Sequence, residues 1–158
     1  RLLAERALAL PVAEAVQFNL VWHRLRAWPD SAAGLAAMRP RLTLCTLSNG
    51  NLSLLSDLAE RNALPFHHVL SAELFHHYKP DPEVYLGAAA HLGLEPSQVM
   101  MVAAHNNDLA AAQSFGLKTA FVPRVTEYGP RQNRDFKADG NWDYVVTDFN
   151  DLAAKLGC

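Results

Sequence analysis

"MVAAHNNDLAAA", residues 101–112, decides the fold. An apolar run ends, His105, Asn106 and Asn107 follow, and Asp108 opens an alanine-rich stretch. That order reads as strand, tight turn and helix. The run is continuously apolar rather than alternating, as a strand covered on both faces must be. One carboxylate stands at the helix start with no second acid beside it, so the same twelve residues raise a chemical question.

The unit repeats outward in both directions. Upstream, "LTLCTL" (42–47) reads as a buried strand, "LSLLSDLAERNAL" (52–64) as a helix, "FHHVLS" (66–71) as a strand and "DPEVYLGAAAHLG" (81–93) as a helix. In the last of these Asp81 is the expected cap, Pro82 occupies the first turn and Gly93 ends the helix. "QVMMVA" (98–103) is the strand of the deciding stretch, and its helix runs to Gly116. Downstream, "KTAFVP" (118–123) and "DYVVT" (143–147) are strands, a polar loop covers 128–142, and a last helix covers about 150–157. Before the alternation begins, residues 1–26 read as helix interrupted near Pro11, with Val16, Leu20, Val21 and Leu25 on one stripe. "AWPD" (27–30) stops that helix, because a residue before proline avoids helical geometry. "SAAGLAAM" (31–38) is a short helix with Ser31 as its expected cap. Strands alternating with helices mean crossover connections and a parallel sheet with helices on both faces. The fold class is therefore α/β, a Rossmann-like parallel sheet.

The bulk properties narrow the function. The chain has 158 residues, half of them apolar, and a net charge of -2, which suits one globular domain and no nucleic-acid surface. No apolar run approaches the roughly 20 residues of a membrane span, and no basic-then-apolar leader opens the chain. Of the two cysteines, Cys45 lies in a strand and Cys158 ends the chain. Reduced thiols in a cytoplasm are the simplest reading.

Ligands of such sheets sit beyond the carboxyl ends of the strands. After the first strand come Ser48, Asn49 and Gly50, after the second Lys79, and after the third His105 and Asp108. Ser48 to Gly50 can be a plain turn, or an anion cradle of hydroxyl, amide and free backbone donors. Asp108 can be an ordinary helix cap, Lys79 a solvated loop lysine, and Tyr85 a packing residue or a site residue. The paired histidines His67–His68 and His76–His77 have no cysteine or carboxylate at zinc spacing, so no metal site is expected.

Taken in order, "TLSNGN", "YKPDPEVY", "VAAHNNDLAAA" and "TAFVPRVTEYGP" resemble the haloacid dehalogenase superfamily, and within it the type II L-2-haloacid dehalogenases. The likeness runs from about Trp22 to the end. It implies part of a helical cap at residues 1–28 and a Rossmann-like core at 29–158. It matches Ser48 to the family's second motif, Lys79 to the third and Asp108 to the fourth. Phosphatases of the superfamily carry Gly-Asp where this chain has Ala103 and Ala104, so the magnesium site of that branch loses a ligand. The resemblance then implies a cofactor-free dehalogenase acting on a small 2-haloacid. In it, Ser48 holds the substrate carboxylate, Asn49 cradles the departing halide and Tyr85 contacts the substrate. Lys79 keeps the nucleophile ionised, and Asp108 orients Lys79 or water. His105 stands where the resembled dehalogenases carry an amide; it either replaces that hydrogen-bonding group or acts as a general base.

The family's nucleophile motif, Asp-x-x-Gly-Thr/Tyr at the end of a first strand, does not occur here. The resemblance implies that these residues are the C-terminal portion of a longer enzyme, inactive alone, whose first and central strand lies upstream. Homodimerisation through the stripe with Val16 and Leu20 is a further expectation. The alternatives are a magnesium-dependent phosphatase of the same fold and a non-catalytic binding remnant.

Overall fold

The computed structural model describes residues 10–158. The part of the N-terminal helix expected over residues 1–9 lies outside them. From Pro11 the chain forms α1 (Val12–Asn19), a 3-10 turn (Leu20–Arg24), α2 (Ser31–Met38), β1 (Cys45–Ser48) and α3 (Leu52–Arg61). There follow β2 (His68–Ser71), α4 (Pro82–His91), β3 (Met100–Ala103), α5 (Asn106–Ser114), β4 (Lys118–Phe121), β5 (Tyr144–Val145) and α6 (Phe149–Lys155). Every expected element from Ser31 onward has a counterpart. The strands are shorter than the apolar runs that announced them, because hydrogen-bonded pairing stops before apolarity does; β5 keeps only two of its five expected residues.

All pairing is parallel. β1 pairs with β2 in the register Cys45–His68 to Ser48–Ser71. β4 lies between β3 and β5, with Met101 opposite Thr119 and Phe121 opposite Val145. The strands thus form two groups, β1–β2 and β3–β4–β5, with no ladder joining β1 to β3 among the described residues.

Side chains alternate along β3 and β4 and build a core on each face. Met101 and Phe121 face Val84 and Tyr85 of α4 and Leu109 and Ala112 of α5. Ala120 and Val122 face Leu35 and Met38 of α2 and Leu152 and Ala153 of α6, with Met100 and Val102 packed alongside. Leu47 packs on the first cluster and Leu44 on the second. The chain of β1 therefore has core on both of its faces too, although it is not bonded to β3.

Two expected caps are corrected. Ser31 is not the cap of α2 but its first helical residue, and the preceding Asp30 makes no cap bond either. The Asp30 carboxylate instead receives both amino groups of Arg124, at 2.9 and 2.8 Å, and the Phe149 backbone N–H at 2.9 Å. Asp81 stands at the cap position of α4 without a cap hydrogen bond, its carboxylate turned to His77.

Candidate active site

The carboxyl ends of β1 and β3 and the loops after β2 and β4 gather the polar residues. Asp108 lies in the first turn of α5, past the cap position, and its carboxylate caps nothing. Its Oδ2 receives Lys79 Nζ at 2.8 Å, with both side chains mostly buried. Its Oδ1 receives the Tyr85 hydroxyl at 2.6 Å. The Lys79 ammonium also lies 5.4 Å from the centre of the Tyr85 ring, within reach of a cation–π attraction. Burial pushes the Tyr85 hydroxyl strongly upward in pKa, and the neighbouring Asp108 carboxylate adds to the push, so Tyr85 keeps its proton as a donor. Tyr85 is fully buried, which corrects its expected contact with substrate. It holds Asp108 from beneath.

Asn49 binds the backbone of Lys79 at both ends of its amide. Oδ1 accepts the Lys79 N–H at 2.7 Å, and Nδ2 donates to the Lys79 carbonyl at 3.2 Å. One Nδ2 hydrogen has no acceptor among the described residues. Ser48 Oγ accepts the Gly50 N–H at 3.0 Å, closing a turn, and its own hydroxyl hydrogen has no acceptor among the described residues. The turn is fastened from below by Ser71, whose hydroxyl donates to the Gly50 carbonyl at 2.6 Å. Sequence alone offered a turn or a cradle at 48–50. The geometry is a turn that, among the described residues, leaves one hydroxyl and one amide hydrogen without an acceptor at the strand edge.

His105 belongs to a neighbouring network. Its Nε2 meets Glu127 Oε2 at 2.8 Å and the Tyr128 hydroxyl at 3.2 Å. Arg134 donates to the Tyr128 hydroxyl at 3.0 Å and lies over its ring. The next residue, Asn106, is buried and ties the loop after β4 to α5. It donates to Asp135 and to the Lys137 carbonyl and accepts from Asp139 N–H and Trp142 Nε1. The sequence reading missed Glu127, Tyr128 and Arg134. The signal available was their place after β4, at the carboxyl edge of the sheet.

The donor set does not suit magnesium. Both Asp108 oxygens are already engaged, and Ala103 and Ala104 bring no oxygen from their side chains. Among the described residues one grouping has ligand atoms close enough for a cation, His77 with Asp81 and Glu83. All three are exposed, and His77 is already bonded to Asp81.

The sequence model of the haloacid dehalogenase-like hydrolase family matches residues 2–116. The chain is 32% identical over 109 residues to (S)-2-haloacid dehalogenase 1 of Pseudomonas sp. (strain CBS-3), covering 67% of this chain and 48% of that protein. The crystal structure of the L-2-haloacid dehalogenase PA0810 superposes with a TM-score of 0.96 at 49% identity, over 99% of this chain and 67% of that one. The defluorinating L-2-haloacid dehalogenase Rha0230 superposes with a TM-score of 0.95 at 42% identity, over 99% of this chain and 65% of that one. The chain spans about half the length of the curated relatives it matches.

Proposed function

The chain belongs to the haloacid dehalogenase-like hydrolase family, and from that premise we propose that the full-length protein hydrolyses the carbon–halogen bond of short L-2-haloacids, as a type II dehalogenase. The observation that carries this reading is Asp108, a carboxylate with one oxygen bonded to Lys79 and the other to Tyr85, and with alanines where a second acid would help hold magnesium. That arrangement disfavours the phosphatase alternative and supports a site built on a Lys79–Asp108 ion pair without a resident metal. The likeness to named haloacid dehalogenases supports the substrate class.

The reaction proposed has two halves. A carboxylate supplied from upstream of Arg1 attacks C2 and displaces halide, forming an ester, and water then hydrolyses the ester. Lys79, fixed through its backbone by Asn49 and through its ammonium by Asp108, holds positive charge beside the nucleophile. The Ser48 hydroxyl binds the substrate carboxylate, and the remaining Asn49 N–H faces the halide. The nucleophile's strand would lie between β1 and β3, where the two strand groups have no ladder. We place residues 1–28 in a helical cap and 29–158 in the core. The apolar positions Val16, exposed, and Leu20, half-buried, are the proposed homodimer contact. A reducing cytoplasm is the proposed compartment for the two free thiols. No described helix is long and apolar enough to cross a membrane.

The test is halide release by the full-length protein from L-2-chloropropionate, with EDTA or with added Mg²⁺. The expected outcome is turnover indifferent to both. Magnesium-dependent cleavage of a phosphate ester without chloride release would move the protein to the phosphatases.

A further inference from the structure

We propose that His105 and Glu127 form a base dyad that drives the second half of the reaction, with His105 taking the proton of the attacking water and Glu127 acting as its positioning residue. The proposal rests on the dehalogenase reading above.

The argument begins with proton placement. A carboxylate only accepts hydrogen bonds, so the 2.8 Å contact between Glu127 Oε2 and His105 Nε2 puts a hydrogen on Nε2. In the neutral ring the lone pair then sits on Nδ1. Nδ1 has no hydrogen-bond partner among the described residues. A carboxylate on one ring nitrogen and an open lone pair on the other is the arrangement by which an acid residue fixes the tautomer of a general base.

The ring is also held in place. Tyr128 stacks on it at 6.2 Å with 26° between the planes, and Arg134 steadies Tyr128 through the hydroxyl and the ring face. From the other side, the buried Asn106 network anchors the residue that follows. His105 occupies the cap position of α5, whose first turn carries Asp108, so the base and the Lys79–Asp108 pair share one strand end. The cavity beside it, about 470 Å³ and lined also by Tyr128, Arg134, Asp135 and Asp139, has room for several waters at about 30 Å³ each. The charged and titratable groups facing the ring are therefore Glu127, Tyr128 and Arg134 from the loop after β4, with Asp135 and Asp139 across the cavity. Asp108, in the first turn of the helix that His105 opens, is ion-paired with Lys79.

The step balances without a further reactant. The water oxygen bonds to the ester carbonyl carbon while its proton passes to Nδ1. The carbonyl–alkoxy bond then breaks, the imidazolium returns the proton to the departing alkoxide, and the 2-hydroxy acid leaves. The carboxyl group left behind still carries the second hydrogen of the water, which it gives up to solvent, and the nucleophilic carboxylate is restored.

The experiment uses the full-length protein in single and multiple turnovers of L-2-chloropropionate. Chloride in the first turnover reports ester formation, and intact-protein mass reports the ester itself. His105→Gln should release a first equivalent of chloride, accumulate the ester and turn over on the order of 10²-fold more slowly, the usual scale of a lost general base. Its hydrolysis rate should also lose the acid limb of the pH profile. Glu127→Gln should accumulate the same ester with roughly tenfold slower hydrolysis, and Glu127→Asp should recover part of the loss. If either Gln variant hydrolyses the ester at the parental rate with an unchanged acid limb, the dyad is wrong while the dehalogenase reading stands. If Glu127→Gln loses the first chloride as well, the pair does not serve the second half and the proposal is overturned. If the parent releases no chloride at all, the functional reading itself fails and takes the dyad with it.

Discussion

Asp108 makes two contacts that pull on different properties. Lys79 neutralises its charge, and Tyr85 fixes the direction of its second oxygen. Lys79→Met leaves a mostly buried carboxylate without its cation, which costs about 3 kcal/mol of stability. In the full-length enzyme it should also lower kcat on the order of 10²-fold, because the nucleophile loses its charged neighbour. Chloride release compared at a temperature where both proteins remain folded checks the second effect. Normal turnover would make Lys79 a structural counter-ion only. Tyr85→Phe removes one hydrogen bond to a charged group and keeps the packing of the ring, so it should cost about 2 kcal/mol. Its chemical effect should be smaller than that of Lys79→Met. At this scale the sequence was half legible. Lys79 and Asp108 could be named because each follows a different strand. The sense in which Tyr85 matters could not, since a tyrosine one turn into a helix looks alike whether its hydroxyl meets substrate or a buried carboxylate. Glu127 was invisible for the same reason, because its partner is set by the meeting of two loops that are 22 residues apart in the chain.

Among the elements, α2 and α6 pack against each other, and Gly34 and Asp30 both act there. A Cβ added at Gly34 would stand 2.4 Å from Phe149 Cβ and 2.6 Å from its carbonyl carbon. Backbone cannot step aside as a flexible side chain can, so Gly34→Ala should destabilise by about 3 kcal/mol. A thermal melt that moved by less than a degree would show that α6 shifts freely. Asp30 ties the start of α2 to the start of α6 and to Arg124. Burial opposes its ionisation, but the Arg124 hydrogen bonds, the Phe149 N–H and the Arg124 charge outweigh that and hold its pKa below the ordinary carboxylate value. The sign follows from the direction. A depressed folded-state value contributes stability at pH values above the ordinary aspartate pKa of about 3.9, and the contribution fades as pH falls through the folded-state value. Asp30→Asn should therefore melt about 10 °C below the parent at pH 7, with the gap narrowing toward pH 3. A gap that is equal at both pH values would mean that charge is not what Asp30 contributes. Helix existence was readable from apolar period and Pro and Gly punctuation, whereas the cap expected at Ser31 falls on Asp30 and Asp81 holds its cap position without a cap bond. A capping side chain is free to choose a distant partner, and Asp30 chose residues 94 and 119 positions away.

At the scale of the molecule, the order of strands and helices announced a parallel α/β sheet, and the pairing is parallel throughout. What one-dimensional pattern cannot convey is which strands are neighbours; here they form two groups, with β1 and β3 each carrying an unpaired edge among the described residues. Both edges lie between helical layers, since Leu44 and Leu47 reach the same two cores as Met100 and Met101. Unpaired backbone N–H and C=O groups beside apolar side chains are an invitation to strand addition from another molecule. A strand inserted there would satisfy both edges at once. On the proposed reading that strand comes from upstream of Arg1 and carries the nucleophile, so pairing and chemistry have one source. Residues 1–158 made alone should then be aggregation-prone and release no chloride from L-2-chloropropionate, while the chain extended upstream should be monodisperse or dimeric and active. Light scattering and chloride assays on the two proteins side by side check both halves. Comparable chloride release by the short form would place the nucleophile among these 158 residues and undo the alignment of Ser48, Lys79 and Asp108 with the family's later motifs. A soluble but inactive short form would separate the two halves, keeping the missing carboxylate and removing the argument from open edges.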